Sequence, residues 1–154
     1  MKRKNFSNKN IIITGASSGI GYALALELAS QGANLILASR RKDRLQELAE
    51  RIESNGGQAL VTATDVTKED ELTNARELAY KKFGLIDITI ANAAIPMHGN
   101  FDSITTENYR RVFETNVFGL LNTSYAYIED LKKTRGTLVL IASVMAYMAT
   151  PGTS

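Results

Sequence analysis

A glycine-rich segment near the N-terminus has the residue types and the spacing of a phosphate-binding loop. It follows a short apolar run and reads Thr14-Gly15-Ala16-Ser17-Ser18-Gly19-Ile20-Gly21. A loop that leaves a strand and opens a helix presents backbone N–H groups and the positive helix end to an anion. Gly15 permits the tight turn, Gly19 lets the backbone approach a pyrophosphate, and Gly21 lets the helix pack on the strand. The alternative is a turn that only needs flexible residues. The Gly-Lys-Ser or Gly-Lys-Thr of an ATP-hydrolysing loop is absent, which disfavours that activity.

Basic residues stand where many dinucleotide-binding folds carry an acid. The second apolar run ends in Ser39, Arg40 and Arg41. A carboxylate at this place binds the ribose 2′-hydroxyl of NAD, whereas a guanidinium suits the 2′-phosphate of NADP. One charge-assisted hydrogen bond is worth about 1.5–3 kcal/mol, which is about ten- to a hundred-fold in affinity. The sequence therefore favours NADP(H) over NAD(H), with Arg40 as the first candidate. Arg41 is the second candidate, since it also fits the solvated start of a helix.

Three further polar residues have a structural explanation beside a functional one. Asp65 follows the third apolar run and can cap the helix after it. Asn116 lies on or beside the apolar face of a later helix, where neighbouring backbone can satisfy a buried amide. Ser143 follows the fifth apolar run, where a lone serine is usually a turn residue. The residue types alone leave both explanations open.

These segments resemble, in order and spacing, the short-chain dehydrogenase/reductase family across residues 11–154. The pattern Thr-Gly-x-x-x-Gly-x-Gly at 14–21 is that family's fingerprint. The other matching segments are Asp65-Val66, Ala91-Asn92-Ala93-Ala94, Asn116-Val117-Phe118-Gly119 and Ala142-Ser143. Ala91 and Ala94 replace an Asn and a Gly of the family's pattern, and Ala142 replaces the first of its two serines.

The resemblance implies a cofactor site and two catalytic residues. Ser143 would donate a hydrogen bond to the substrate carbonyl oxygen, where negative charge develops. Asn116 would order a water and the backbone near a catalytic lysine. The implied cofactor-binding residues are Gly15, Ser17, Ser18, Gly19, Ile20, Gly21, Ser39, Arg40, Arg41, Asp65, Val66, Asn92 and Ala93.

The implied reaction is hydride transfer between NADP(H) and a carbonyl or alcohol substrate, with a tyrosine that protonates the oxygen. The family's Tyr-x-x-x-Lys pair follows the serine at a distance that falls beyond Ser154, the last residue here. Tyr147 has no lysine four residues later and is expected in the wall of the substrate pocket. We therefore expect the N-terminal part of an oxidoreductase, truncated before that pair and inactive by itself. The alternatives are a catalytically silent dinucleotide-binding fragment and a Rossmann-like methyltransferase, which would normally have an acid where Arg40 stands.

Short apolar runs alternate with amphipathic segments and supply the framework for these residues. Continuously apolar runs predict strands that are covered on both faces of a parallel sheet, at residues 11–14, 35–38, 59–64, 88–91 and 137–142. Helical periods lie between them, the last as one long helix over residues 113–131. Gly32 suits the end of the first helix, and Thr67 with Asp70 resembles a capping box of the third. The pattern predicts an α/β fold, a doubly wound parallel sheet of Rossmann type with strand order 3-2-1-4-5. Its later strands and helices are expected to be missing.

Composition limits the possible classes of protein. The 154 residues are 44% hydrophobic and 22% charged, with no cysteine and one histidine, which is typical of a single globular domain. No disulfide, thiolate metal site or histidine cluster is possible, so we expect no metal. No apolar run reaches the length of a membrane span. We expect a cytoplasmic protein with a small-molecule substrate, and a homo-oligomer for the whole protein.

Residues 1–10 form a basic tail ahead of a domain over residues 11–154. The tail holds four of the 18 basic residues and no acid, so the rest carries 14 basic and 16 acidic residues. Such a tail can bind nucleic acid or an anionic membrane surface. Four charges alone are more typical of a solvated terminus, and we expect no nucleic-acid partner.

Overall fold

Five parallel strands form one sheet. The structure, a computed structural model, describes residues 5–143. The strands are β1 Asn10–Thr14, β2 Asn34–Ser39, β3 Gln58–Ala63, β4 Ile88–Ala91 and β5 Thr137–Leu140. Every neighbouring pair is parallel, and the order is β3-β2-β1-β4-β5. This confirms the predicted strand order.

Within the described range, five α-helices connect the strands. They are α1 Gly19–Ser30, α2 Lys42–Ser54, α3 Glu69–Phe83, α4 Thr106–Phe113 and α5 Gly119–Thr134. Gly32 has a φ of 91° after α1, which confirms the predicted left-handed residue. The predicted capping box of the third helix is wrong. Lys68 precedes α3, and the Thr67 hydroxyl donates to Asp65 instead.

Each face of the sheet has its own hydrophobic core, because successive side chains of a strand point to opposite faces. On one face, Ile11 and Ile13 of β1 pack with residues of α1 and α2. On the other face, Ile12 packs with Leu72 of α3 and Tyr127 of α5. Burying one Ile or Leu side chain contributes about 1.5–3 kcal/mol. Helices on both faces explain why the strands are apolar without alternation.

The region predicted as one long helix is divided into three parts. Helix α4 begins at Thr106 behind a capping box, in which the Thr105 and Asn108 side chains each bond the other residue's backbone N–H. A π-helical segment, Glu114–Phe118, then joins α4 to α5. Helix α4 has no buried residue, so apolar periodicity could not reveal it. The wider π turn also interrupts the regular period.

Candidate functional site

A cleft of about 430 Å³ opens at the carboxyl edge of the sheet. Open α/β sheets bind ligands at this edge. The structure brings together eleven of the thirteen predicted cofactor-binding residues as its lining: Gly15, Ser17, Ser18, Ile20, Ser39, Arg40, Arg41, Asp65, Val66, Asn92 and Ala93. Gly19 and Gly21 are not part of the lining. Five lining residues were not predicted: Thr64, Ala94, Ile95, Pro96 and Thr115. Thr64, Ala94 and Ile95 directly neighbour a predicted residue or segment at a strand end, and Thr115 directly precedes Asn116, so adjacency was the available signal for these four.

The three loop glycines differ in what surrounds them. A Cβ at Gly15 would lie 2.8 Å from the Ala93 Cα, and one at Gly21 would lie 2.7 Å from the Gly15 carbonyl oxygen. These two positions therefore need glycine for close packing. Gly19 has a φ of +58°, and a Cβ there would meet nothing within 4 Å. The loop is thus open at Gly19, where an incoming phosphate needs room.

The N-terminus of α1 carries no competing negative charge. Its first turn has no acidic residue, and Ser18, which precedes the helix, makes no side-chain cap hydrogen bond. The first N–H groups of a helix lack partners within the helix and attract anions. The glycine loop and this helix end together fit a pyrophosphate.

Arg41 is fastened to the glycine-rich loop. Its Nε donates to the Ser17 hydroxyl at 3.1 Å, and its Nη2 donates to the hydroxyls of Ser17 at 2.9 Å and Ser18 at 2.6 Å. The Ser39 hydroxyl accepts from the Arg41 backbone N–H at 3.2 Å. These bonds tie the end of β2 to the loop after β1 and fix the position of one guanidinium in the cleft.

Arg40 also lines the cleft, and its charge acts on Asp65. Partial burial of Asp65 tends to raise its pKa, but hydrogen bonds from the Thr67 N–H and hydroxyl and the charge of Arg40 hold that pKa below its usual value. Asp65 organises the turn before α3 and does not cap the helix itself. Its carboxylate is ionised at neutral pH beside the positive charge of Arg40.

Asn92 joins the ends of β1 and β4. Its side-chain Nδ2 donates to the Thr14 carbonyl at 2.9 Å, and the Thr14 hydroxyl accepts from the N–H groups of Asn92 and Ala93 at 3.1 and 3.2 Å. These bonds hold Ala93 against Gly15. Gly15, Asn92 and Ala93 all line the cleft.

Asn116 acts on the cleft through Ile95. Its Oδ1 accepts from the Ile95 N–H at 2.9 Å, and its Nδ2 donates to the Ile95 carbonyl at 3.0 Å. Asn116 lies in the π-helical segment, and Ile95 lines the cleft. This reciprocal pair satisfies the amide with backbone, as its structural explanation expected, and it also fixes a cleft-lining residue.

Ser143 is exposed beyond the end of β5 and does not line the cleft. The role of Ser143 stays a prediction. Tyr147 and the basic residues Lys2, Arg3 and Lys4 lie outside the described residues.

No group of three or more His, Cys, Asp or Glu residues between positions 5 and 143 could hold a metal ion. None of the helices in the same range is long and apolar enough to cross a membrane.

Comparisons with known proteins show to which family the chain is similar. The family model described as short chain dehydrogenase matches residues 9–154. An uncharacterised oxidoreductase of Listeria monocytogenes is 37% identical over 146 residues, which are 94% of this chain and 59% of that protein. The chain thus spans less than two thirds of the length of this relative.

Solved structures share the fold. A short-chain type dehydrogenase/reductase from Mycobacterium marinum has a TM-score of 0.91 at 32% identity, and the match covers 97% of this chain and 62% of that one. An alcohol dehydrogenase from Thermococcus sibiricus, complexed with 5-hydroxy-NADP, has a TM-score of 0.88 at 29% identity. That match covers 94% of this chain and 62% of the Thermococcus chain.

Proposed function

The chain belongs to the short-chain dehydrogenase family, and we propose that its cleft binds NADP(H) in preference to NAD(H). The observation that carries the proposal is the pair Arg40 and Arg41 at the end of β2, since both line the cleft. Neither is an acid that would select a ribose 2′-hydroxyl. Similar solved structures hold either cofactor: the Thermococcus sibiricus enzyme is complexed with 5-hydroxy-NADP, and a 7α-hydroxysteroid dehydrogenase is complexed with NADH. The preference for NADP(H) therefore rests on the two arginines.

The two arginines have different tasks in this proposal. Arg40 is the principal donor to the 2′-phosphate, because its guanidinium makes no hydrogen bond with any residue between positions 5 and 143. Arg41 already donates to Ser17 and Ser18, so it adds positive charge at a fixed place. The N–H groups at Gly19 and at the start of α1 hold the pyrophosphate. Asp65 and Val66 border the adenine end.

For the whole protein we propose oxidoreduction of a small carbonyl or alcohol substrate. When bound, NADPH would donate a hydride to a carbonyl carbon, and NADP⁺ would accept one from an alcohol. Asn116 positions Ile95 at the cleft, and the Ser143 hydroxyl donates to the substrate oxygen. No tyrosine of the chain has a lysine four residues later. We therefore propose that these 154 residues bind the cofactor without turnover, since a missing general acid costs about 10²–10⁴ in rate.

Binding and turnover assays test this proposal separately. NADPH and S-adenosylmethionine are titrated into the chain, and NADPH oxidation is followed with a panel of ketones. We expect NADPH to bind and no ketone to be reduced above background. Tighter binding of S-adenosylmethionine would favour a methyltransferase, and measurable reduction would contradict the proposed lack of turnover. The homo-oligomeric state and the cytoplasmic location of the whole protein stay predictions.

A further inference from the structure

A second cavity lies at the opposite edge of the sheet from the dinucleotide cleft. It measures about 420 Å³ and is lined by Arg76, Glu77, Tyr80, Lys81, Leu85 and Lys133. Helix α3 ends at Phe83, and Leu85 comes shortly before β4, so the cavity lies at the amino edge of the strands. It shares no lining residue with the dinucleotide cleft.

The lysines of this region divide into two groups. Lys82 donates to the Ala59 carbonyl at 2.7 Å, and Lys132 forms an ion pair with Glu129 at 2.7 Å. The side chains of Lys81 and Lys133, which line the cavity, make no hydrogen bond or ion pair with any residue between positions 5 and 143. Their ammonium groups come from two different helices. Both ammonium groups thus add positive charge to the cavity lining, and the charge of Lys133 also attracts Glu129.

Arg76 adds a fixed donor to the cavity wall. Its Nε donates at 3.0 Å to Asp130, whose side chain is 1% exposed, and its Nη2 contacts the same carboxylate oxygen. The charge of Arg76 is thus matched by Asp130. Glu77 is the one acid among the described lining residues, and its single negative charge offsets only one of the two lysines. The cavity keeps a net positive charge.

The remaining walls are apolar. The Tyr80 side chain is 62% exposed, and Leu85 is half-buried. A flat aromatic ring beside a leucine offers a surface for an apolar or aromatic group. Two ammonium groups near such a surface suit a phosphate carried on an aromatic body.

We propose that this cavity is a binding site for a small organic phosphate with an aromatic body. Lys81 and Lys133 bind the phosphate, and Tyr80 and Leu85 contact the ring. A volume of about 420 Å³ accommodates a molecule of this size.

Phenyl phosphate is the probe that tests the site. It is titrated into the chain saturated with NADPH, and binding is followed by calorimetry and by amide chemical shifts. We expect the double variant Lys81→Gln/Lys133→Gln to bind phenyl phosphate at least about ten-fold more weakly than the native chain. The matched control Lys82→Gln/Lys132→Gln removes the same charge from neighbouring positions and should bind like the native chain.

Four outcomes would overturn the proposal. One is equal binding by both double variants. A second is a lowered melting temperature of Lys81→Gln/Lys133→Gln with unchanged binding, since the lysines would then only stabilise the helix C-termini. A third is binding of phenyl phosphate to the NADPH-free chain that disappears in the NADPH-saturated chain, which would place it in the dinucleotide cleft. The fourth is equally tight binding of inorganic phosphate, because the aromatic body would then contribute nothing.

Discussion

The Arg41 guanidinium donates two hydrogen bonds to the Ser17 hydroxyl, at 3.1 and 2.9 Å. The two residues lie 24 positions apart and belong to the connections after β2 and β1. Both residues line the cleft. It also leaves Arg40 and Arg41 with different numbers of free donors.

Arg40→Gln should weaken NADPH binding about ten- to a hundred-fold, because it removes a charge-assisted hydrogen bond to the 2′-phosphate. Arg41→Gln should have a smaller effect, since two of its nitrogens already hold the loop serines. NADH binding should change little in either variant. Lys42→Gln, at the exposed start of α2 and outside the cleft lining, is the matched control. Calorimetry measures the dissociation constants. An equal loss of affinity for NADPH and NADH would refute the assignment of these arginines to the 2′-phosphate.

Gly19→Ala should lower dinucleotide affinity without unfolding the chain. The left-handed φ of +58° costs about 1–2 kcal/mol for alanine, but the new Cβ meets no protein atom. Gly56→Ala is the control, because Gly56 has a φ of +78° and equally open surroundings away from the cleft. Urea unfolding should show similar destabilisation of both variants, whereas NADPH binding should fall only in Gly19→Ala. Native-like binding by Gly19→Ala would argue against a phosphate at this place.

Asn116→Ala should destabilise the chain by about 1–3 kcal/mol, because the Ile95 N–H and carbonyl lose their partners. NADPH affinity should fall as well, since Ile95 lines the cleft. Asn74→Ala on the exposed face of α3 is the control and should leave both quantities unchanged. A destabilised Asn116→Ala that binds NADPH normally would show that the Asn116–Ile95 pair is purely structural.

Tyr127 should make the chain lose stability at alkaline pH. Burial raises the pKa of its phenol, because the anion would lose its hydration. A raised pKa in the folded state means that the stability is intact below about pH 10, the ordinary tyrosine pKa, and is lost as the pH rises above it. Tyr127→Phe should therefore have a shallower alkaline decrease in unfolding free energy, while Tyr125→Phe, 72% exposed, follows the native chain. Identical pH dependence of all three proteins would contradict this.

The sheet and the glycine-rich loop were predictable because local signals specify them. Continuously apolar runs require cover on both faces, and Ile11, Ile12 and Ile13 are indeed fully buried between the two helical layers. The need for glycine at positions 15 and 21 follows from the strand–turn–helix pattern. In the structure, a Cβ at either position would lie less than 3 Å from a neighbouring atom.

The remaining features depend on tertiary contacts that residue spacing does not reveal. The Arg41–Ser17 bonds and the reciprocal Asn116–Ile95 pair join residues that the chain brings together only in the folded state. Helix α4 was not predicted, because it buries no residue and apolar periodicity therefore could not reveal it. Ser143, in contrast, matched a family motif in sequence but lies outside the cleft lining.

Comparing the affinities of NADPH and NADH for the native chain, at one ionic strength, tests the central claim most directly. The basic pair at the end of β2 predicts that NADPH binds about ten- to a hundred-fold more tightly than NADH. The preference should shrink as salt is added, because charge–charge attraction is screened. Equal affinities, or tighter binding of NADH, would contradict the assignment of Arg40 and Arg41 to the 2′-phosphate.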